Sequence, residues 1–406
     1  MHAGAGLSVF GIPLEFVLFA TTLVCVALFH HRTFTVAVTG LVVILLYKLI
    51  FTGFEGHPGI GGFVLHLEHE WIEIANLGLL LMGFAILSRQ FEQSQLPDLA
   101  PDILPDNWTG GLVLLALVFV GSAFLDNIAG ALIGATLAAH VYKKKVHIGF
   151  LAAIVAASNA GGSGSVVGDT TTTMMWIAGK NPLDVLHAYV GALAAFAVFA
   201  VPAARIQQRY APILKHDVGG IVVDWLRVAA VATMLVFAIG ANVSANIFAP
   251  ELLHTLPVIG VALWVAILLT GLIRKPDWGV LPDAAKGAAF LLSLVLAASV
   301  MPVERLPQPS WESAFALGFI SSIFDNIPLT ALALQQGNYD WGILAYTVGF
   351  GGSMVWFGSS AGVAVSTIFP EAKSTMAWLR AAWFVPIAYI VGFFVMLGVM
   401  GWHPLP

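Results

Sequence analysis

Apolar residues in this chain come in long runs, near 9–29, 34–52, 71–88, 182–203, 221–248, 258–273, 280–301 and 376–400. A helix needs about 20 such residues to cross the hydrocarbon of a bilayer. Four other apolar stretches do not read as plain spans. Residues 110–140 and 311–336 each surround an acid–amide pair, in 121-GSAFLDNIAGALIGATL-137 and 320-ISSIFDNIPLTALAL-334. Residues 147–178 and 341–370 are each interrupted by small residues, in 158-SNAGGSGSVVGDTTTT-173 and 348-VGFGGSMVWFGSS-360. The pattern predicts an all-α polytopic membrane protein, with the first two stretches as re-entrant helical hairpins and the second two as broken transmembrane helices. A transmembrane barrel would instead show alternating segments of about 10 residues, and none is present.

Composition agrees with the pattern. Apolar residues make up 59% of the chain and charged residues 10%, against roughly 25% charged in soluble domains. Mean hydropathy is +0.91. The net charge of −5 is small and points to no nucleic acid. The lone cysteine, Cys25, forms no intramolecular disulfide and reads as a membrane-packing residue. No Lys or Arg precedes the first run, Val9 to Phe29, which is too long for a signal-peptide core and reads as a span.

Charge placement chooses between hairpins and crossings. With Arg32 in the cytoplasm and the 110–140 and 311–336 stretches as hairpins, fourteen of the seventeen Lys and Arg residues fall inside. Only Lys48, Lys180 and Arg305 fall outside, as the positive-inside rule asks. Both termini are then extracytoplasmic. Single crossings would send Lys143 to Lys145 outward.

The order that results repeats itself. Spans, hairpin 110–140 and broken helix 147–178 fill 1–205; a cytoplasmic linker covers 206–220; spans, hairpin 311–336 and broken helix 341–370 fill 221–406. Two inverted halves with interrupted helices at matching places predict a secondary transporter with its site near the midplane. FLDNI (124–128) answers IFDNI (323–327), and the GGS at 161–163 answers that at 351–353.

Irregular backbone in hydrocarbon persists only where protein or a water-filled cavity satisfies it. Free carbonyls, hydroxyls and a carboxylate form an oxygen shell suited to a small hard cation, whereas free helix-start amides suit an anion. Asp126 and Asp325 sit at the expected hairpin tips, where a charge costs at least about 2.5–3.5 kcal/mol. Desolvation favours the neutral carboxyl, so such a group can trade a proton for a metal ion. Capping of the returning helix by Asp126 and Asp325 is the competing reading, and the two are compatible. Asp169 opens the stretch Thr170 to Thr173 and is either a third site carboxylate or a plain N-cap. The matching 358-GSSAG-362 has no acid, which predicts an asymmetric site. Ser158, Asn159, Ser163, Ser353, Ser359 and Ser360 offer neutral oxygens or serve close helix packing. No Lys or Arg lies in either hairpin or either break, which tilts the balance toward a cation.

The segment 57-HPGIGGFVLHLEHEWIEIANLG-78 forms a second polar island. It reads as an extracytoplasmic amphipathic segment before a span. His66 and Glu70 stand one helical turn apart but lack a second cluster to complete a metal site. His66, His69, Glu70 and His187 are candidates for pH sensing. Glu15 and Asp224 lie at span ends.

At these residues the chain resembles the ion transporter superfamily with the citrate-transporter-like domain, most closely its NhaD-type sodium/proton antiporters. The likeness is carried by HEW (69–71), FLDNIAGALIG (124–134), NAGGSGSVVGDTTTTMMW (159–176) and FDNIP (324–328). It implies exchange of Na⁺ or Li⁺ for protons across a bacterial inner membrane, by an elevator-type homodimer. It further implies an ion-site group of Asp126, Asn127, Asp169, Thr170, Thr171, Asp325, Asn326 and Ser353, with Na⁺ or Li⁺ at Asp126, Asp169 and Asp325. No cofactor is expected beyond the transported Na⁺ and H⁺, and no enzyme activity. Where the family commonly carries Trp and Pro after the first glycines, this chain reads SGSVV. The superfamily also moves citrate, dicarboxylates and arsenite, so a Na⁺- or H⁺-coupled anion carrier is the alternative.

Overall fold

The computed structural model describes residues 7–29, 32–54, 57–96, 104–123, 125–166, 168–178, 180–213, 222–253, 255–302, 308–324 and 326–405. A short antiparallel ribbon, β1 (Ser8–Val9) with β2 (Ile12–Pro13), opens the chain. Almost everything after it is helical. Among the described residues, five helices are long and apolar enough to cross a membrane: Thr33–Thr52, Gly59–Gln93, Pro182–Tyr210, Trp225–Ala245 and Trp278–Ser299. Thr375–Ala381 and Phe384–Met400 together have the length and hydropathy of a further span and are bent by 61° between them, as a broken span or a re-entrant loop. The chain is a multi-pass membrane protein.

The helices form two groups that meet along a cleft. One group holds α1 (Leu14–Leu28), α2 (Thr33–Tyr47), α3 (Gly59–Gln93), α10 (Trp225–Phe248), α12 (Val258–Gly271) and α13 (Leu281–Ser299), each packed on another of the set. Between α10 and α12 stands the short α11 (Pro250–Leu253). The second group is built around α4 (Trp108–Ser122), α5 (Asn127–Val141) and α6 (Ile148–Ser163), with α7 (Thr170–Ile177), α8 (Pro182–Leu186) and α9 (Ala188–Tyr210) following. Its later members are α14 (Trp311–Ser321), α15 (Asn326–Gln336), α16 (Trp341–Gly351), α17 (Ser360–Ile368), α18 (Thr375–Ala381) and α19 (Phe384–Met400).

Burial in the two groups runs opposite to what water would impose. The long spans bury 22–39% of their apolar windows and turn the remainder outward, because lipid tails are as apolar as leucine. The fully enclosed helices are the short α6 and α16, where every residue from Gly149 to Ser163 and from Trp341 to Gly351 is buried. Their small residues let backbones approach closely, which is how helices associate without a hydrophobic drive. At the α9–α19 crossing, a β-carbon at Gly392 would strike the Gly191 carbonyl and the Tyr346 hydroxyl. Tyr346 donates to the Tyr389 carbonyl at 2.9 Å, inside a stack of Tyr346, Phe350 and Tyr389.

The first hairpin turns back on itself. Gly134 of α5 faces Val118 of α4, and Gly130 faces Ser122, an antiparallel register. Each arm is 15 residues, or roughly 22 Å at 1.5 Å per residue, too short to cross. The two glycine- and serine-rich stretches each fall between helices. α6 stops at Ser163 and α7 starts at Thr170; α16 stops at Gly351 and α17 starts at Ser360.

Several expectations need correction. The 57–78 island is not a separate amphipathic segment, because α3 runs unbroken for 35 residues from Gly59. No Gly or Pro interrupts Phe63–Leu77, and its polar groups find partners. His66 is buried and bonds Ser299 Oγ at 2.9 Å. Lys48, in the π-helical turn Lys48–Thr52, donates to the Val300 carbonyl at 2.5 Å, a cation on the C-terminal carbonyls of α13. The runs at 9–29 and 258–273 give helices of 15 and 14 residues, shorter than a full span. The expected linker begins inside α9, which continues to Tyr210; residues 214–221 lie outside the described set.

The Lys143–Lys145 loop is held by its neighbours. Gln207 Nε2 donates to the Lys145 carbonyl, and Gln207 Oε1 accepts from the His147 N–H at 2.8 Å. The His147 ring caps α6, its Nδ1 accepting from the Gly149 N–H at 3.1 Å. Burial pushes this imidazole below its ordinary value, and only the neutral ring can cap. An unfolded histidine titrates near 6.5, so the contribution is complete above that pH and fades as pH falls through the folded value. The melting midpoint of the wild type should therefore fall from pH 7.5 toward pH 5 more steeply than that of His147→Asn, which keeps a capping oxygen. Parallel pH profiles of the two would contradict this role.

Candidate functional site

The two breaks and the start of α5 converge on one buried amide. Asn159, on α6 just before its glycines, is fully enclosed. Its Oδ1 accepts from Asn127 Nδ2 at 3.1 Å. Its Nδ2 donates to Ser353 Oγ and Ser359 Oγ, both at 3.0 Å. One side chain thus ties the first hairpin and the first break to both ends of the second break. Ser158 stands beside it, bonding Ser122 Oγ and the Asn127 carbonyl, each at 2.6 Å.

Two carboxylates bracket the start of α7. Asp169 is buried and caps the helix, Oδ1 accepting from the Thr171 N–H at 3.0 Å. Asp126 caps α5 through the Ile128 N–H at 2.9 Å, and its other oxygen accepts from Thr170 Oγ1 at 2.9 Å. The hairpin tip is therefore pinned to the first break by a carboxylate–hydroxyl bond. Asp126 also lines a pocket of about 40 Å³, room for about one or two waters. Thr170 and Thr173 share that pocket with Asn76 of α3 and Asn242 of α10.

Matching contacts recur in the second half. A β-carbon at Gly161 would strike the Phe119 carbonyl, and one at Gly351 the Gly318 carbonyl. Gly162 lies against the Gly168 carbonyl, and Gly352 against that of Gly358. Ser122 Oγ meets Ser158, and Ser321 Oγ donates to the Val348 carbonyl at 2.6 Å. Asp169 caps α7, and Ser359 caps α17 through the Gly362 N–H. Gly161 and Gly351 thus each meet a backbone carbonyl of a neighbouring helix, and Gly162 and Gly352 each meet a carbonyl of the stretch that follows them, so a side chain at any of the four would clash with backbone.

The sequence candidates divide accordingly. Asn127, Ser158, Asn159, Ser353 and Ser359 form one hydrogen-bonded cluster, with Asp126, Thr170, Asp169 and Thr171 alongside. Ser163 is buried and donates to the Ala160 carbonyl at 2.9 Å. Asn326 is buried with its Nδ2 lacking a hydrogen-bond partner. Asp325 lies outside the described residues. Ser360 is buried at the start of α17 and lines a second, larger cavity. His66 is no surface residue, while His69 and His187 are exposed at a distance in sequence from this cluster. Among the described residues, no three His, Cys, Asp or Glu side chains gather as a metal-binding group. Sequence reading missed Ser122, Asn76 and Asn242. Ser122 was within reach, since Ser321 follows it at the same interval that separates Asp126 from Asp325. The two asparagines sit in the other helix group and carry no motif.

The larger cavity measures about 1140 Å³ and separates the two helix groups. One wall is α3 and α13, including Ser88, Arg89 and Asp283; the other is α5 and α17, including Thr136, His140 and Ser360. Lys143, Lys144, Glu92 and Asp277 also line it. Arg89 donates to Asp277 at 3.0 Å, and that bond holds the Asp277 carboxyl below the usual range.

No family model matches the chain. It is 28% identical over 357 residues to Sodium/proton antiporter 1 of Arabidopsis thaliana, a match covering 76% of this chain and 59% of that protein. It is 26% identical over 358 residues to the Na(+)/H(+) antiporter NhaD of Vibrio parahaemolyticus, covering 74% and 84%. With NhaD of Vibrio cholerae identity is 25% over 390 residues, covering 80% and 78%. The chain is distantly homologous to these proteins over most of its length, and it spans 59% of the length of the first of them.

Removing the Asn159 amide strands buried partners on three elements. Leaving a buried polar group unsatisfied costs about 1–3 kcal/mol. Asn159→Ala should melt several degrees below wild type in detergent, measured by intrinsic fluorescence. An unchanged midpoint would show that the cluster does not hold the breaks together.

Proposed function

We propose that this chain is a Na⁺(Li⁺)/H⁺ antiporter working by alternating access. The observation that carries the reading is the pair of carboxylates, Asp126 and Asp169, on either side of the α7 start where hairpin and break meet. A carboxylate away from bulk water is costly without a proton or a cation. Na⁺ and H⁺ therefore compete for the same oxygens, and that competition is the coupling. The distant relatives named as sodium/proton antiporters support the same substrate pair.

The proposed architecture is two inverted repeats, 1–205 and 221–406, joined by a linker over 206–220. The matching contacts at Gly161 and Gly351 and at Ser122 and Ser321 support that division. In this account α1–α3, α10, α12 and α13 form a fixed scaffold. The hairpins and breaks travel past it as an elevator, and the cavity between α3–α13 and α5–α17 is the open approach on one side. Arg89, Lys143 and Lys144 in its lining support a cytoplasmic location for that side under the positive-inside rule. A homodimer in a bacterial inner membrane completes the proposal, with the scaffold's outward apolar faces against lipid and partner.

Reconstituted in liposomes with a preset pH gradient, the protein should dissipate the gradient on addition of Na⁺ or Li⁺, read with a pH-sensitive dye. Citrate and arsenite should have no effect. Asp126→Asn and Asp169→Asn keep a capping oxygen, so both should fold, and both should abolish the exchange. Dissipation by an anion alone would replace this reading with that of a coupled anion carrier. Near-wild-type exchange in either variant would overturn the site.

A further inference from the structure

The Asn159 amide and the three groups around it have counterparts, and the counterpart of Asn159 itself lacks a side chain. Setting 158-SNAGGS-163 against 348-VGFGGS-353 pairs Ser163 with Ser353 and Asn159 with Gly349. Setting 168-GD-169 against 358-GS-359 pairs Asp169 with Ser359, and the DN motifs pair Asn127 with Asn326. In the observed cluster Asn159 Nδ2 lies between Ser353 and Ser359 while Asn127 holds its oxygen. The same arrangement on the other side would set a side chain from position 349 between Ser163 and Asp169, held by Asn326.

The geometry on that other side agrees. A β-carbon at Gly349 would lie 3.2 Å from Ser163 Cβ and 3.5 Å from Asp169 Oδ2, so position 349 faces the expected pair. Asn326 is 1% exposed and its Nδ2 has no hydrogen-bond partner, as follows if the oxygen that Asn159 offers Asn127 is missing here. Its helix α15 packs on both α16 and α7. Thr171 Oγ1, on the turn that Asp169 caps, is likewise buried without a hydrogen-bond partner.

The chemistry of the two places differs in one respect. Around Asn159 two neutral hydroxyls accept from an amide, whose NH₂ is a fixed positive end. Beside Gly349 one hydroxyl is replaced by a carboxylate, and position 349 carries no side chain. Ser163 spends its proton on the Ala160 carbonyl, which leaves its lone pairs to accept. The Asn326 amide, turned over, offers oxygen instead of nitrogen. Oxygens of this kind and number suit a small hard monovalent ion.

We propose that the place beside Gly349, Asp169 and Ser163 is the one cation site of this chain, and that the Asn159 amide permanently takes the part of a cation in its counterpart. The proposal rests on the cation-antiporter reading and adds to it a position and a count. One Na⁺ is bound per chain, not two. Asn159 is then a positioning residue that closes one half, and Gly349 is the specificity-determining absence of a side chain in the other.

The test is Na⁺ binding to the purified full chain, read as radioactive Na⁺ retained per chain and as a Na⁺-dependent rise in melting midpoint. Wild type should saturate at one Na⁺ per chain. Gly349→Asn carries the amide into the second place and should lose both signals while melting, in Na⁺-free buffer, no lower than wild type. Full Na⁺ binding by folded Gly349→Asn would overturn the proposal and leave the antiporter reading standing. Two Na⁺ per wild-type chain would overturn it whether or not the variant folds. No Na⁺ binding by wild type would overturn both readings together.

Discussion

The bonds of one buried amide fix how the rest of the inner helix group can sit. Asn159 holds the start of α5 through Asn127 and both ends of the second break through Ser353 and Ser359. An interrupted helix inside a membrane leaves polar backbone and side-chain groups that hydrocarbon cannot satisfy. Here those groups satisfy one another across the midline of the sequence. The arrangement demands close backbone contact, which the Gly161 and Gly351 positions permit and any side chain there would prevent. It also demands that α6 and α16 be enclosed on all sides, as they are.

From that constraint the division of the molecule follows. Helices bearing the breaks turn most of their polar groups on one another and can be small-residue, tightly packed bodies. Helices of the other group meet them along a cleft of about 1140 Å³, whose lining includes Arg89 hydrogen-bonded to both Glu92 and Asp277. Asp126 is the carboxylate that looks across toward the other group, sharing a small pocket with Asn76 and Asn242. Asp169 is turned inward to the breaks. Two acids adjacent to one helix start thus have different surroundings.

Much of this was legible in the chain. Apolar run length gave the long spans because a helix in lipid must be continuous and apolar. The first DN motif and the Gly/Ser stretches fall where helices end and restart, because polar or flexible residues in such runs have no other place to go. The caps by Asp126 and Asp169 were readable from residue type, whereas Ser359 read as a neutral oxygen or packing residue and caps α17. Boundaries set by tertiary contact were not. The 57–78 island looked like a separate polar segment, since nothing in its composition announces that Ser299, some 233 residues away, partners His66. Asn76 and Asn242 were invisible for the same reason, being single polar residues on apolar helices. The pairing of Asn159 with Ser353 and Ser359 needed coordinates, although the pairing of Asn159 with Gly349 lay in the sequence all along.

The central claim is that a proton and a cation compete for one set of buried carboxyls. The most direct measurement is proton release on adding Na⁺ to the purified protein in weakly buffered detergent solution near neutral pH, followed with a pH indicator against choline as control. The account predicts that Na⁺ or Li⁺ expels protons, that choline does not, and that Asp169→Asn expels none. Saturable Na⁺ binding with no proton released would contradict it.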